Sequence, residues 1–256
     1  MFTDTHTHLY DDRLTEQKQD EMIRRAIDAG VEKMYMPNCD QHTIPGMMRI
    51  AHDFPGQCLP MMGLHPTYVK EDYQAELDIM HEWLSKERFA AIGEIGLDYY
   101  WDKTFVGQQK EAFGRQIDWA LELKLPIVIH SREATADCIA MVREKQNGQL
   151  SGIFHCFSGT QEEAQQIIDL GFLLGIGGTI TYKSNKELQE VVKSAPLEHI
   201  VLETDAPYLS PVPFRGKRNE SAYIEFIAEK VAELKELEKE SLARHTAANA
   251  AKLFAL

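Results

Sequence analysis

Residues 2–8 read Phe-Thr-Asp-Thr-His-Thr-His, an apolar start followed at once by two histidines that are two positions apart. Side chains alternate along a β-strand, so His6 and His8 leave such a strand on the same face, about 6.6 Å apart. That spacing suits two ligands of one metal ion. A His-x-His pair also arises by chance on surfaces, so its meaning depends on what the rest of the chain places beside it.

Short apolar runs recur eight times along the 256 residues, with longer amphipathic segments between them. The predicted strands are residues 2–5, 31–36, 58–64, 90–95, 126–129, 152–154, 172–176 and 200–202. The predicted helices include residues 16–29, 71–86, 107–123, 134–145, 161–170, 222–237 and 241–254. Strands that are apolar throughout are typical of parallel sheets covered by helices on both faces. Eight strand–helix units at this length favour one domain, residues 1–256, folded as an α/β protein of the (β/α)8 TIM-barrel type, over an open doubly wound sheet.

Composition restricts the class of protein. The net charge of −13 disfavours a nucleic-acid coat protein, because a phosphate backbone is repelled unless positive side chains or metal ions gather locally. Four scattered cysteines predict reduced thiols rather than a disulfide framework. With no signal-peptide pattern and no apolar stretch of about 18 residues, we expect a cytoplasmic protein that does not enter a membrane. No obligate protein partner is evident.

Residue types that bind metal ions lie at the carboxyl ends of the predicted strands, where barrel enzymes have their active sites. They are His6, His8, His65, Glu94, His130, His155 and Asp205. Each has a structural alternative when it is taken singly: a salt-bridged acid for Glu94, or a core histidine for His130 and His155. Seven such residues on one rim together favour a metal site.

The chemistry of these side chains restricts the ion. Imidazole and carboxylate groups without a thiolate suit Zn²⁺, Mn²⁺, Fe²⁺ or Ni²⁺ better than an all-oxygen Ca²⁺ site. Mg²⁺ stays open as the working ion. The set is large enough for two divalent ions, which in such sites lie roughly 3.5–4 Å apart.

Two further carboxylates are predicted near the rim. If Asp205 binds a metal ion, Glu203 lies one layer deeper on the same face of the predicted strand and can orient a ligand or a water. A buried partner for a basic residue is an equally good interpretation. Asp4, two residues before His6, has the same two interpretations.

Positive and aromatic side chains follow several of the predicted strands. Arg132 follows the fifth strand, and Arg215, Lys217 and Arg218 lie in the loop over residues 211–218. Guanidinium groups suit phosphate oxygens, and a solvated loop is the alternative interpretation. After the fourth strand come three aromatic residues that either stack on a nucleobase or simply pack against the protein. They are Tyr99, Tyr100 and Trp101.

The sequence resembles the TatD-type metal-dependent deoxyribonucleases, a family of the amidohydrolase superfamily. The matching segments, in chain order, are Asp4-Thr-His6-Thr-His8, Gly63-Leu-His65-Pro66, Gly93-Glu94-Ile-Gly-Leu-Asp-Tyr99, Pro126-Ile-Val-Ile-His130-Ser-Arg132, His155-Cys-Phe-Ser-Gly159, Glu203-Thr-Asp205-Ala-Pro207 and Arg215-Gly-Lys-Arg-Asn219. They span nearly the whole chain, and together they are highly specific.

The resemblance implies a barrel hydrolase with two metal ions at the carboxyl rim of the strands. The implied ligands are His6, His8, Glu94 and Asp205 for one ion, and Glu94, His130 and His155 for the other. Glu94 would bridge the two ions. The resemblance also implies a DNA substrate, single-stranded or at 3′ ends, whose phosphodiester bonds are cleaved by 3′–5′ exonuclease action.

One position departs from the family pattern. Where the family continues Arg-Asn-Glu with proline, this chain has Ser221 after Glu220. Losing a proline at the entry to a helix changes the rigidity of the loop, and with it the fit of a substrate, but not the set of metal ligands.

The mechanistic hypothesis makes Asp205 the general base for a metal-activated water that attacks phosphorus in line, while the second ion stabilises the leaving oxygen. Glu94 and Glu203 complete the predicted catalytic set. The candidates for substrate contact are His65, Tyr99, Arg132, Arg215 and Arg218. Two alternatives stay open at this stage: hydrolysis of a carboxyl ester, lactone, amide or aminoacyl ester at the same site, and a non-catalytic protein that holds metal and binds nucleic acid.

Overall fold

Eight strands alternate with helices along the chain in the computed structural model, which describes residues 1–254. The strands are β1 (Phe2–Asp4), β2 (Val31–Pro37), β3 (Cys58–Met61), β4 (Ile92–Asp98), β5 (Ile127–Arg132), β6 (Gly152–Phe154), β7 (Leu173–Ile176) and β8 (Ile200–Leu202). The helices are α1 (Glu16–Asp28), α2 (Ile44–Asp53), α3 (Tyr73–Lys86), α4 (Val106–Leu123), α5 (Thr135–Lys145), α6 (Gln161–Asp169), α7 (Lys186–Ser194), α8 (Ile224–Lys235) and α9 (Lys239–Leu253).

The strands pair in parallel as two sets, β1-β2-β3 and β4-β5-β6-β7-β8. Backbone hydrogen bonds join the two sets at both seams. At one seam, the amide of Gly93 donates to the carbonyl of Met62 (3.0 Å). At the other, the amide of Thr5 donates to the carbonyl of Leu202 (3.1 Å). The eight strands therefore form a closed ring, which confirms the predicted parallel α/β barrel.

The core has two layers because side chains alternate along each strand. Ile127 and Ile129 of β5 pack outward against the helices, whereas Val128 between them belongs to a separate inner cluster. The inner cluster takes one or two residues from each of several strands, so it fills the interior of the ring. Phe254, just after α9, joins this cluster and stacks on Tyr35 with ring centroids 4.0 Å apart. The carboxyl-terminal helix thus covers one end of the barrel, and the other end is left for the site.

Local sequence signals explain where several helices begin. The hydroxyl of Thr15 accepts a hydrogen bond from the amide of Lys18 at the start of α1. At the start of α6, Thr160 and Glu163 form a reciprocal capping box. These polar caps satisfy backbone amides that a helix leaves unpaired at its first turn.

Two strands run further than the sequence predicts. β4 and β5 were predicted to end at residues 95 and 129, but their ladder continues through Gly96 opposite His130 to Asp98 opposite Arg132. Gly96 lets the strands approach this closely, since a Cβ atom there would lie 2.1 Å from the carbonyl oxygen of His130. His130 is consequently held on a strand and not on a loop.

We predict that Gly96→Ala destabilises the protein by about 3–5 kcal/mol, because the added methyl would overlap backbone and Gly96 has φ of +135°. Urea unfolding followed by circular dichroism measures the change. Gly107→Ala in α4 is the matched control, since nothing lies within 4 Å of a Cβ atom there. Equal stability of the two variants would show that Gly96 is not needed for this strand pairing.

Within residues 1–254, the structure has no helix with the length and apolar character needed to span a lipid bilayer. The four cysteines, all in this described part of the chain, are free thiols, as the sequence predicts.

Candidate metal centre and active site

The side chain of Glu94 lies at the centre of the open end of the barrel and is buried. β4 carries it, and the ends of β1, β3, β5, β6 and β8 bring five imidazoles and a second carboxylate around it. The residues involved are His6, His8, His65, His130, His155 and Asp205. The structure therefore brings together all seven residues that the sequence placed on this rim.

One carboxylate oxygen of Glu94 faces the histidines of the opening sequence. Oε2 lies 3.1 Å from Nε2 of His6 and 3.6 Å from Nε2 of His8. Oδ1 of Asp205 lies 3.8 Å and 3.4 Å from the same two nitrogens. Two imidazoles and two carboxylates thus aim their ligand atoms at one small volume.

The other oxygen of Glu94 faces a different set of imidazoles. Oε1 lies 2.9 Å from Nδ1 of His130 and 3.5 Å from Nε2 of His155. Nε2 of His65 is 3.4 Å from the same oxygen, as close as that of His155. The sequence assigned His65 to substrate contact; the geometry also makes its nitrogen available to an ion in this second volume.

Side chains behind the histidines fix their orientation. Nε2 of His130 is 2.8 Å from Oδ2 of Asp98, and Nδ1 of His155 is 3.0 Å from Oε1 of Glu203. Such pairing of the distal imidazole nitrogen orients a ligand and selects its tautomer. The contact of Glu203 with His155 fits both interpretations that the sequence left open, an orienting carboxylate and a buried partner of a basic residue, and its catalytic role stays a prediction. The sequence did not identify Asp98 as a functional residue, although it lies within the segment 93–99 that matches the family pattern.

Tyr10 and Asp4 hold the segment that carries His6 and His8 in place. Nδ1 of His8 lies 2.8 Å from the hydroxyl of Tyr10, which donates to the carbonyl of Pro37 (2.5 Å). Asp4 does not pair with a basic residue: its carboxylate accepts from the backbone amide (2.9 Å) and hydroxyl (2.6 Å) of Thr204. Burial raises the pKa of Asp4 to about 7, despite these hydrogen bonds. Asp4 thus ties β1 to the segment that carries Asp205.

The predicted strand, residues 200–202, agrees with β8, but the side-chain alternation that was expected to continue through Glu203 and Asp205 does not. The strand ends at Leu202, and Asp205 has φ of +55°, so regular alternation of side chains stops before the carboxylates. Glu203 and Asp205 nevertheless both face histidines, because the turn is fixed by the amide of Asp205 donating to the carbonyl of His6 (2.9 Å). The predicted inward direction holds, but a turn and not a strand produces it.

The electrostatics of the cluster favour ionised carboxylates. Burial would raise the pKa of Glu94, but the surrounding imidazoles, His65 and His6 foremost, outweigh it and hold the pKa well below its usual value. Burial would lower the pKa of His155, yet the charges of Glu203 and Glu94 raise it to about 9. In the metal-free protein, protons on imidazoles therefore supply the positive charge that this site requires.

Divalent cations fit this set of donors better than those protons do. The rings of His6 and His155 stack with centroids 3.5 Å apart and planes 15° apart, so two imidazolium ions there would repel each other. Burial, followed by the charge of His155, lowers the pKa of His6, which leaves His6 a neutral ligand. Nitrogen and oxygen donors of this kind suit Zn²⁺, Mn²⁺, Fe²⁺ or Ni²⁺.

A cysteine also lies at the cluster and was not predicted there. Sγ of Cys156 falls within 4.8 Å of ligand atoms of His155 and Asp205. Burial, together with the neighbouring carboxylates, raises the pKa of Cys156 well above its usual value. The thiol is therefore protonated in the metal-free protein and does not add a thiolate to the donor set.

The predicted substrate-contacting arginines occupy different environments. The guanidinium of Arg132 lies 3.9 Å from the ring centroid of Tyr100, and that of Arg215 lies 4.5 Å from that of Tyr182. Both side chains are exposed. Arg218, in contrast, forms an ion pair with Asp11.

The aromatic residues after β4 also differ from one another. The hydroxyl of Tyr99 donates to Oδ2 of Asp137 (2.6 Å), and the ring packs against the core. Tyr100 and Trp101 are the exposed members of this set. The role of Tyr99 in binding a substrate stays a prediction.

Ser221 forms a hydrogen bond to the segment that carries His6 and His8. Its hydroxyl is buried and donates to the hydroxyl of Thr7 (3.0 Å), between the two histidines of the opening sequence. A proline at this position could not make that hydrogen bond. In this chain the serine therefore joins the loop before α8 to the start of the chain.

Comparisons with known proteins agree with this architecture. A sequence model of the family described as "TatD related DNase" matches residues 3–255. A Bacillus subtilis (strain 168) protein named "Uncharacterized metal-dependent hydrolase YabD" is 40% identical over 258 residues, which covers 99% of each chain. An Erwinia billingiae (strain Eb661) protein named "3'-5' ssDNA/RNA exonuclease TatD" is 32% identical over 243 residues, or 93% of each chain.

Among solved structures, the chain is similar to YJJV, a TatD homologue from Escherichia coli K12, with a TM-score of 0.93 at 26% identity. That match covers 100% of this chain and 98% of the other. A lactonase from Deinococcus radiodurans matches with a TM-score of 0.70 at 12% identity over 99% and 95% of the two chains, and shares the fold. On the strength of the family match across nearly its whole length, the chain belongs to the TatD-related DNase family.

Proposed function

We propose that this protein is a metal-dependent exonuclease that hydrolyses phosphodiester bonds at the ends of single-stranded DNA, in the 3′–5′ direction, with two divalent ions. One observation carries the proposal: the two oxygens of Glu94 face two separate sets of imidazoles, as a carboxylate that bridges two ions would. Membership of the family and the name of the Erwinia billingiae relative support the choice of substrate.

His6, His8, Glu94 and Asp205 would hold one ion, and Glu94, His130 and His155 the other. Such ions supply a water nucleophile at neutral pH and neutralise charge on the phosphate. A side chain of the protein accepts the proton. Asp205 has a pKa below its usual value because His8 and the neighbouring imidazoles outweigh the effect of burial, so its carboxylate is ionised and can accept the proton of the attacking water.

Exposed arginines on the rim offer the local positive charge that a protein of net charge −13 needs to hold DNA. Arg132 and Arg215 lie over aromatic rings, and neither forms an ion pair within the described residues 1–254. Their guanidinium groups remain free to contact phosphate oxygens. The same arrangement gives no advantage to a neutral ester or lactone.

We expect Arg132→Ala and Arg215→Ala each to lower kcat/KM for a single-stranded DNA oligonucleotide about tenfold, with little effect on a neutral carboxyl ester. The comparison of the two substrates tests the proposed function. Arg143→Ala in α5, whose guanidinium contacts Gln166 away from the rim, is the matched control. Turnover of the ester but not of DNA would favour the alternative that the enzyme is a carboxyl-ester hydrolase.

Metal binding should release protons and strengthen as the pH rises. His155 holds a proton below about pH 9 in the metal-free protein and must lose it to become a ligand. Each pH unit between about 6.5 and 9 should therefore increase the apparent affinity for Zn²⁺ or Mn²⁺ at least about tenfold. Chelator competition at several pH values measures it, and an affinity independent of pH over this interval would contradict this assignment of His155.

A further inference from the structure

A cavity of about 500 Å³ opens beside the metal-ligand cluster, on the side of His8. The loops after β1, β2, β3 and β8 line it. Two exposed tyrosines stand at its wall: Tyr208, whose ring centroid is 5.9 Å from that of His8, and Tyr68, whose centroid is 6.0 Å from that of His65. Both rings therefore lie directly next to the cluster, and both reach the same cavity. Pockets of this size accommodate a molecule as large as a nucleoside.

The charges of the cavity make it unsuitable for phosphate. Its positive side chains are already paired: Arg13 with Asp11 at 2.8 Å, and Arg49 with Asp53 at 2.9 Å. Further acids line it, among them Asp40, which is buried. A phosphate entering the cavity would meet carboxylates and paired guanidinium groups, whereas an uncharged nucleobase would meet aromatic rings.

The opposite side of the rim has the complementary character. The ring order of the strands puts β5 across the barrel from β1 and β2, so Arg132 at the end of β5 lies across the cluster from the cavity. Arg132 is exposed and lies over Tyr100, without an ion pair among residues 1–254. The free guanidinium of Arg132 is thus on one side of the metal-ligand cluster, and a half-open, aromatic, acid-rich cavity is on the other.

We propose that this cavity binds the terminal nucleoside of the DNA strand, with its base against Tyr208 and Tyr68, while the phosphates of the remaining strand follow the side of Arg132. The proposal rests on the proposed function and deepens it. A cavity that admits one nucleoside and rejects phosphate limits cleavage to the last phosphodiester bond. The enzyme would then release mononucleotides and would recognise the presence of a base at the end of the strand.

The test compares two metal-loaded reactions of the whole protein. One oligonucleotide has a normal end, and the other ends in a sugar without a base. Stacking of one base on an aromatic side chain supports an expected preference of about tenfold in kcat/KM for the normal end. Tyr208→Ala and Tyr68→Ala should each bring this ratio toward 1. Tyr208→Phe should keep it, because the phenyl ring still stacks, and Tyr100→Ala across the rim should keep it too.

The outcomes separate the two proposals. If the wild-type protein hydrolyses both ends equally, or if Tyr208→Ala and Tyr68→Ala both keep the full preference, the cavity does not bind the terminal base, although the enzyme is an exonuclease. If the metal-loaded wild-type protein hydrolyses neither oligonucleotide, the proposed function is wrong and the assignment of the cavity falls with it. A preference that only the two tyrosine-to-alanine variants lose supports the assignment.

Discussion

Glu94→Gln is expected to lower DNA hydrolysis about a thousandfold or more and to reduce the bound metal from two ions per chain. Within residues 1–254, the carboxylate is the only group whose two oxygens reach both sets of imidazoles, at 3.1 Å from His6 and 2.9 Å from His130. Loss of its charge weakens both sites, and metal ions stabilise hydrolytic transition states by several kcal/mol, where each 1.36 kcal/mol is a factor of ten. Metal analysis after dialysis and initial rates on a labelled oligonucleotide measure the two effects.

The glutamine variant needs a check that its barrel is intact, since Glu94 is buried. Circular dichroism and urea unfolding provide it. Glu162→Gln in α6 makes the same chemical change at the first turn of a surface helix and should leave metal content and rate unaltered. Two ions per chain in a folded Glu94→Gln protein with near-normal turnover would show that Glu94 does not bridge them.

Asp205→Asn is expected to lower kcat on DNA by about 10²–10⁴-fold at saturating metal concentration, because an amide cannot accept the proton that the carboxylate accepts. The amide oxygen remains able to face the ion, so metal content should fall less than in Glu94→Gln. Rates measured over a range of metal concentrations separate the loss of the ion from the loss of the base.

Asp98→Asn is the comparison for this prediction. The side chain of Asp98 contacts only His130 among the candidate ligands, so its replacement should cost only about 10–100-fold, mainly through metal affinity. If Asp205→Asn were no more impaired than Asp98→Asn at saturating metal, Asp205 would be a supporting residue and not the general base.

Much of this fold could be predicted because its determinants are local. A short apolar run that alternates with helical patterns favours a buried strand, and eight such runs left few architectures for a chain of 256 residues. The lengths of β4 and β5 could not be predicted, since their extension depends on Gly96 facing the backbone of His130. That contact exists only after the two strands are side by side.

The grouping of the candidate metal ligands was predictable for a related reason. Parallel strands in a barrel bring their carboxyl ends to one rim, so His6 and Asp205, 199 positions apart, are neighbours by topology alone. Supporting groups are harder to predict, because many polar residues follow strands and only packing selects among them. Tyr10 supports His8 through a loop whose path no periodic pattern describes.

Surface residues of the site were predictable by type but not by environment. The sequence offers Arg132 and Arg218 as equal candidates for phosphate, yet Arg218 forms an ion pair with Asp11, 207 residues earlier in the chain. In the same way, the sequence did not identify Tyr208 as a candidate for substrate contact, because its position beside His8 depends on the turn that follows Asp205. The environments of these side chains depend on how the loops pack, and the spacing of residues along the sequence does not show that packing.

The cluster around Glu94 is proposed to hydrolyse DNA from its ends with two bound ions. The direct measurement is a time course of metal-reconstituted protein with single-stranded DNA labelled at its 3′ or its 5′ end, alongside protein stripped by a chelator. We expect immediate release of labelled mononucleotide from the 3′-labelled strand, stepwise shortening of the 5′-labelled strand, and no cleavage without metal. Undiminished cleavage by the stripped protein, or no DNA cleavage by the reconstituted protein, would contradict the proposal.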